Sequence, residues 1–204
     1  MLDFWFELAS TYSYPAAMRL PEAAKAAGVE TRWRVFLLGP LFKAQQGLSD
    51  SPFNVVEAKG RYMWRDLERI CGALDLPLRR PSVFPRHTLL PARTVLAAGA
   101  QGLDVVPLVQ ALYRANFAED RAIDQGEVLD EILTDLGLPA AAVREAAEAP
   151  EIKAALRANT EEAAGRGLFG SPSFLTADGE LFWGSDRLDA ALEWARGPNN
   201  HHRD

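Results

Sequence analysis

The chain has 204 residues, 48% of them hydrophobic, and 22 Lys and Arg stand against 28 Asp and Glu for a formal net charge of −6. This length is enough for one well-buried unit with room for an insertion. The acidic balance, unbroken by any run of Lys or Arg, argues against nucleic acid as a partner and reads as ordinary solubility. No apolar run approaches the ~20 residues that a membrane span needs, so no membrane partner is expected. The N-terminus shows no basic segment followed by a long apolar stretch, which leads to the expectation of a cytoplasmic protein. Cys71 is the single cysteine, so neither an internal disulfide nor a Cys-x-x-Cys pair can form. His201 and His202 fall in a polar tail, residues 198–204, that is expected to be disordered. Only His87 lies in the body of the chain, and no metal site is expected from that material.

Phe4, Phe6 and Leu8 alternate with Asp3, Trp5 and Glu7, a period of two that predicts a strand over residues 2–8. Ser10 and Thr11 are good helix N-cap residues, and Ala, Met and Leu at helical spacing predict a helix over 14–27, ended by Gly28. Val29, Thr31, Trp33, Val35 and Leu37 predict a second strand over 29–38. The resulting β-α-β opening favours a parallel, right-handed crossover. Gly39-Pro40 breaks that strand, and residues 41–54 read as a partly helical loop. A helix follows over 59–74, with Tyr62, Met63, Leu67, Ile70 and Leu74 on its inner face. Pro77, Pro81, Pro85 and Pro91 punctuate a connection over 77–91. Further helices are predicted over 92–101, 105–118, 126–136, 140–149 and 151–165. Strand character returns at 173–176 and 180–183, joined by Ala177-Asp178-Gly179 with the Asp-Gly signal of a hairpin. Ser185 and Asp186 then cap a last helix over 187–195. No fixed internal period appears. Trp5 and Trp33 are expected on the less apolar faces of their strands, as suits a sheet covered on both sides.

The order β-α-β, long helical block, β-β-α is that of an α/β thioredoxin fold with a large all-helical insertion. Residues 1–40 plus 168–197 form the expected thioredoxin-like domain and 41–167 the helical insertion domain. In such folds the turn from the first strand into the first helix is the redox position, where a helix N-terminus lowers a thiol pKa. Here that turn is Ser10-Thr11-Tyr12-Ser13, so dithiol oxidoreduction is excluded. A hydroxyl remains, and its simplest chemical use is to hydrogen-bond a thiolate that the protein does not supply. Plain N-capping is the other use of Ser10. Pro172 opens a strand and, in this order of elements, is expected to be cis, with the Ser171 backbone facing a peptide-like ligand. A trans proline at a strand start is the alternative. Ser185 and Asp186 stand at a second helix N-terminus, an anion-friendly nest, and Asp186 also suits an ammonium group; capping accounts for Ser185 equally well. Lys59 follows Asn54 at a loop-to-helix transition, where alone it reads as a solvated charge.

Taken together, the Ser-x-x-Ser turn at 10–13, Lys59-Gly-Arg-Tyr-Met63, the Gly-x-Pro at 170–172 and Gly184-Ser-Asp-Arg187 resemble the glutathione-dependent branch of the DsbA-like thioredoxin superfamily. That branch contains 2-hydroxychromene-2-carboxylate isomerase and the kappa-class glutathione transferases, and the resemblance runs along nearly the whole chain. It implies glutathione as cofactor, with Ser10 stabilising the thiolate and Ser171, beside Pro172, pairing with the cysteinyl part. It implies further that Ser185 and Asp186, with Arg187 beside them, bind the γ-glutamyl end. Lys59, with Asn54 upstream, would meet the glycine carboxylate region or the acid group of a small-molecule substrate. The implied activity is isomerisation of an unsaturated aromatic-degradation intermediate. Conjugation of electrophiles by the same thiolate, a thiol cofactor other than glutathione, and a non-catalytic binding module are the alternatives. The family implies a homodimer. Ser13 receives no role, Cys71 reads as packing, and His87 as a surface or cleft residue.

Overall fold

The computed structural model describes residues 1–47 and 50–197. The tail expected at 198–204 lies outside the described residues. Strand β1 (Leu2–Phe6) is buried along its whole length and lies inside the sheet. It pairs in parallel with β2 (Thr31–Val35), Phe4 opposite Trp33, and antiparallel with β3 (Ser173–Thr176), Phe4 opposite Phe174. Strand β4 (Leu181–Trp183) completes the order β2-β1-β3-β4. Helix α1 (Ser13–Ala27) joins β1 to β2. It ends at Gly28, whose φ of 65° is the left-handed conformation that glycine adopts without penalty, and whose N–H reaches the Lys25 carbonyl at 3.1 Å.

Between β2 and β3 the chain is helical: α2 (Leu38–Gln46), α3 (Pro52–Val55), α4 (Glu57–Ala73), α5 (Leu89–Ala100), α6 (Val105–Phe117), α7 (Gly126–Asp135), α8 (Ala140–Ala147) and α9 (Pro150–Gly165). After β4 a short 3-10 helix, Ser185–Arg187, leads into α10 (Leu188–Ala195). This is the thioredoxin order with a helical insertion that the sequence predicts. No helix among the described residues is long and apolar enough to cross a membrane.

The sheet has cores on both faces. Phe4 and Phe6 project to the larger one, where Phe4 stacks on Phe174 at 5.4 Å and meets Trp33 edge-on at 4.9 Å. Trp33 therefore shares the main-core face with Phe4 and Phe6, a correction to its expected place on the less apolar face, because the parallel register sets it opposite Phe4. Tyr14, Tyr113 and Phe117 continue this cluster across α1 and α6. Trp5 projects to the other face with Phe36, Leu41, Ala163, Leu168 and Leu175, and the Arg34 guanidinium lies 4.5 Å from the centre of its ring system. Each fully buried side chain of this size contributes about 1.5–3 kcal/mol, so the alternation along β1 stabilises two layers at once.

Three local expectations are corrected. Gly39 and Pro40 do not open a loop: α2 starts at Leu38, and Pro40 falls in its first turn, where a missing N–H costs no hydrogen bond. Pro91 likewise lies in the first turn of α5 rather than in the connection. Tyr62 is exposed, while Met63, Leu67 and Cys71 are the buried residues of α4. The aromatic ring at position 62 misled the assignment of the inner face, since Met63, Leu67 and Cys71 form the stripe at four-residue spacing.

Candidate active site

After Phe6 the chain leaves the sheet and turns, with Ser10 N–H bonded to the Glu7 carbonyl at 3.0 Å. Ser10 and Thr11 do not cap α1. The helix begins at Ser13, Tyr12 occupies the N-cap position, and no side chain caps it. The Ser10 hydroxyl instead donates to the Ser171 carbonyl at 2.8 Å. Ser13, for which the sequence suggests no role, shares a hydrogen bond with Ser171 Oγ at 2.7 Å, and the same oxygen accepts the Glu7 N–H at 3.0 Å. Ser171 is thus held by three groups of the 7–13 segment. The Ser171–Pro172 peptide is cis, as expected from the order of elements. Gly184 N–H donates to the Pro172 carbonyl at 3.0 Å, which brings the Gly184–Arg187 turn beside the same strand. Ser185 and Asp186 do not cap α10 as expected. They form the 3-10 helix, which starts after Gly184 without a side-chain cap. Gly184 has φ of 114°, and a Cβ there would lie 2.5 Å from the Asp186 carboxylate. Ser185 is buried, whereas Asp186 and Arg187 are exposed and paired at 3.4 Å.

Helix α4 closes the other side of the turn. Thr11 Oγ1 donates to Met63 Sδ at 3.1 Å, and the Tyr12 phenol donates to Asp66 Oδ2 at 3.1 Å. Lys59 lies one helical turn before Met63 on α4 and is exposed. Asn54 is turned elsewhere: its amide donates to both Asp50 carboxylate oxygens at 3.2 Å and to the Phe84 carbonyl at 3.3 Å. The Glu57 carboxylate is occupied by Arg61. Helices α3 and α4 pack so tightly that a Cβ at Gly60 would run into the Phe53 carbonyl. The structure therefore gathers Ser10, Ser171, Pro172 and the Ser185–Arg187 turn, leaves Lys59 exposed on α4, and directs Asn54 toward Asp50.

Glu7, to which the sequence assigns no role, also takes part. Glu7 is buried, its Oε2 accepts the Ala9 N–H at 2.9 Å, and its Oε1 accepts the Thr88 hydroxyl. Burial pushes its carboxyl from the ordinary range up to about 7, while the donors on Thr88, Ala9 and Ser10 pull the other way. Tyr113 of α6 donates to the Glu7 carbonyl at 2.9 Å, and burial beside Glu7 holds that phenol well above its ordinary value. Asn116, one helical turn on, donates to the Leu8 carbonyl at 3.2 Å and accepts from Arg86 Nε at 3.1 Å. Strand alternation makes Glu7 look like an outward polar residue. Its distant partners, Thr88, Tyr113 and Ser171, lie 81 or more positions away, where no local pattern reaches. Cys71 is buried, and burial pushes its thiol up to about 11, which suits packing. His87 is exposed.

Residues 1–193 match the DSBA-like thioredoxin domain. This chain belongs to the DsbA-like thioredoxin family. It is similar to a 2-hydroxychromene-2-carboxylate isomerase of Sphingobium xenophagum, at 31% identity over 92% of this chain and 94% of that protein. It is similar also to glutathione S-transferase kappa 2 of Caenorhabditis elegans, at 22% identity over 97% and 92% of the two chains. Among solved structures, a 2-hydroxychromene-2-carboxylate isomerase superposes with a TM-score of 0.83 at 25% identity, over 95% of this chain and 93% of that one. The named relatives are thus isomerases and a kappa-class transferase. Within the DsbA-like fold, this turn offers hydroxyls and backbone groups but no sulfur, because the single thiol of the chain is buried on α4.

Proposed function

We propose that the protein is a glutathione-dependent isomerase of the 2-hydroxychromene-2-carboxylate isomerase kind, with the Ser10 hydroxyl as donor to the cofactor's thiolate. The observation that carries this reading is the pairing of Ser10 with Ser171 next to cis Pro172, in a turn without a protein thiol. The donor set fits a thiol peptide with charged ends. Ser10 offers a hydroxyl, Ser171 a backbone carbonyl, Asp186 an exposed acid for an ammonium, and Arg187 and Lys59 exposed cations for carboxylates. Held by these groups, glutathione would supply a nucleophilic sulfur able to add reversibly to a conjugated carbon of an unsaturated 2-oxo acid and so let the adjoining bond turn.

The chain's own residues have three tasks in this reading. Ser10 redirects its O–H from the Ser171 carbonyl to the sulfur, which favours the ionised thiol. The start of α1, whose first N–H groups are uncapped by any side chain, adds to the same effect. Ser171, released by Ser10, offers its carbonyl to the cofactor's cysteinyl N–H. Lys59 or Arg187 then meets an acid group of the cofactor or the substrate. The test is the fate of glutathione during turnover of 2-hydroxychromene-2-carboxylate: conversion to the ring-opened isomer with glutathione unconsumed is expected. No conversion with catalytic glutathione would remove the proposal. The kappa-class relative favours one second reading, conjugation of electrophiles, and a stable adduct with a haloaromatic would select it.

A further inference from the structure

Among the described residues, the carboxyl of Glu7 is the one buried acid bonded to the 7–13 turn, and the proposed reaction leaves it without a task. It sits between two parts of the chain: the Ala9 and Ser10 backbone on one side and the Thr88 hydroxyl, at the approach to α5, on the other. The same residue's N–H holds Ser171 Oγ, and its carbonyl takes the Tyr113 phenol. Every polar group of Glu7 is therefore engaged, and the residue is buried. We infer that Glu7 is a positioning residue that sets the electrostatic potential at the Ser10 hydroxyl: in its neutral form it admits an anion above the turn, and in its ionised form it opposes one.

The surrounding groups leave this task to Glu7. Tyr113 on α6, Tyr12 at the N-cap of α1 and Tyr14 on α1 are phenols that burial keeps neutral around neutral pH. Asp66 of α4 is engaged by Tyr12 and Arg69. Arg86, two residues before Thr88, is turned to Asn116 and Asp120, and His87 is exposed. Strand β3 contributes no ionisable side chain. No cation bonds to the Glu7 carboxyl among the described residues, so a charge formed there is not neutralised locally, and it acts through a poorly screened interior. The buried carboxyl titrates near 7, within the range where a glutathione-binding turn has to hold a thiolate. An anion over Ser10 and a charge on Glu7 are mutually unfavourable, and their titrations are coupled.

This inference deepens the proposed function, and its test is arranged to stand without it. Ser10→Cys places a thiol at the turn itself, and its ionisation is followed by thiolate absorbance and by the pH dependence of alkylation, with the buried Cys71 as a silent background. Adding Glu7→Gln is expected to lower the midpoint of that thiol by about one unit, as removal of one nearby negative charge requires. Thr88→Val, which removes a donor that favours the ionised carboxyl, is expected to move the midpoint in the same direction by a smaller amount and serves should the glutamine variant fail to fold. An unchanged or raised midpoint in both would overturn the inference. The same pair of substitutions is then made with Ser10 intact and glutathione added. If the introduced thiol shifts and glutathione does not bind, the role of Glu7 stands and the glutathione reading falls.

Discussion

Removing the Ser10 hydroxyl takes away one part-buried hydrogen bond, the 2.8 Å donation to the Ser171 carbonyl. Such a bond contributes about 0.5–1.5 kcal/mol, and Ser10 does not cap α1. Ser10→Ala is therefore expected to unfold within about 1.5 kcal/mol of the wild type in a denaturant titration. Its turnover is expected to fall about 10²-fold, the usual cost of one preorganised donor at a developing or retained negative charge. Glu7 carries a second residue-scale expectation, in stability against pH. Its folded-state value, about 7, lies above that of an unfolded carboxylate. The native state thus holds this proton longer, so the stabilisation is full below about pH 4 and is lost as pH rises through 7. Relative to Glu7→Gln, the wild type is expected to lose about 3 kcal/mol between pH 4 and pH 8, measured by denaturant unfolding at each pH. A difference independent of pH would show that the carboxyl is not held neutral.

At the scale of elements, α6 braces the Ser10 turn from the helical block. Tyr113 and Asn116, on one face of that helix, reach the Glu7 and Leu8 carbonyls, and Arg86 braces Asn116 from behind through its pairing with Asp120 at 2.5 Å. Asn116→Ala strands a buried carbonyl and a buried guanidinium nitrogen together. It is expected to cost about 2–4 kcal/mol, seen as a lowered denaturation midpoint with an unchanged slope. Gly60→Ala tests a different junction. The added Cβ would meet the Phe53 carbonyl, a backbone atom that cannot swing aside, so α3 and α4 must part. A lower thermal midpoint and faster proteolysis near residues 50–60 are expected, in spite of alanine's better helix propensity. The elements themselves were largely readable. The strand at Ser173–Thr176 matches its expected bounds, and Gly28 ends α1 as its position foretold, because strand alternation and a glycine C-cap act over a few residues. Gly39-Pro40 and Ser185-Asp186 misled for the complementary reason. The same residue types also serve inside a first turn or a 3-10 helix, and the choice is made by what packs against them.

Over the whole molecule, the thioredoxin order frames the site and the helical block completes it. Ser10, Ser171 and Pro172 were legible because each stands at a junction of elements, where residue type and position carry local meaning. Glu7 with Thr88, and Ser13 with Ser171, were not, since their partners are 81 and 158 positions apart and only the folded chain brings them together. Lys59 and Asn54 illustrate the same limit from the other side. The sequence sets them as a pair, whereas the fold sends Asn54 to Asp50 and Phe84 and leaves Lys59 on the flank of α4. The central claim is that the Ser10 turn holds a borrowed thiolate. It is tested most directly by the ultraviolet difference spectrum of bound glutathione at pH 7, in wild type and in Ser10→Ala, with binding followed by calorimetry. Thiolate absorbance in the wild type, lost in the variant while glutathione still binds, is the expected result. Absence of thiolate absorbance in the wild type, or an equal signal in both proteins, would contradict it.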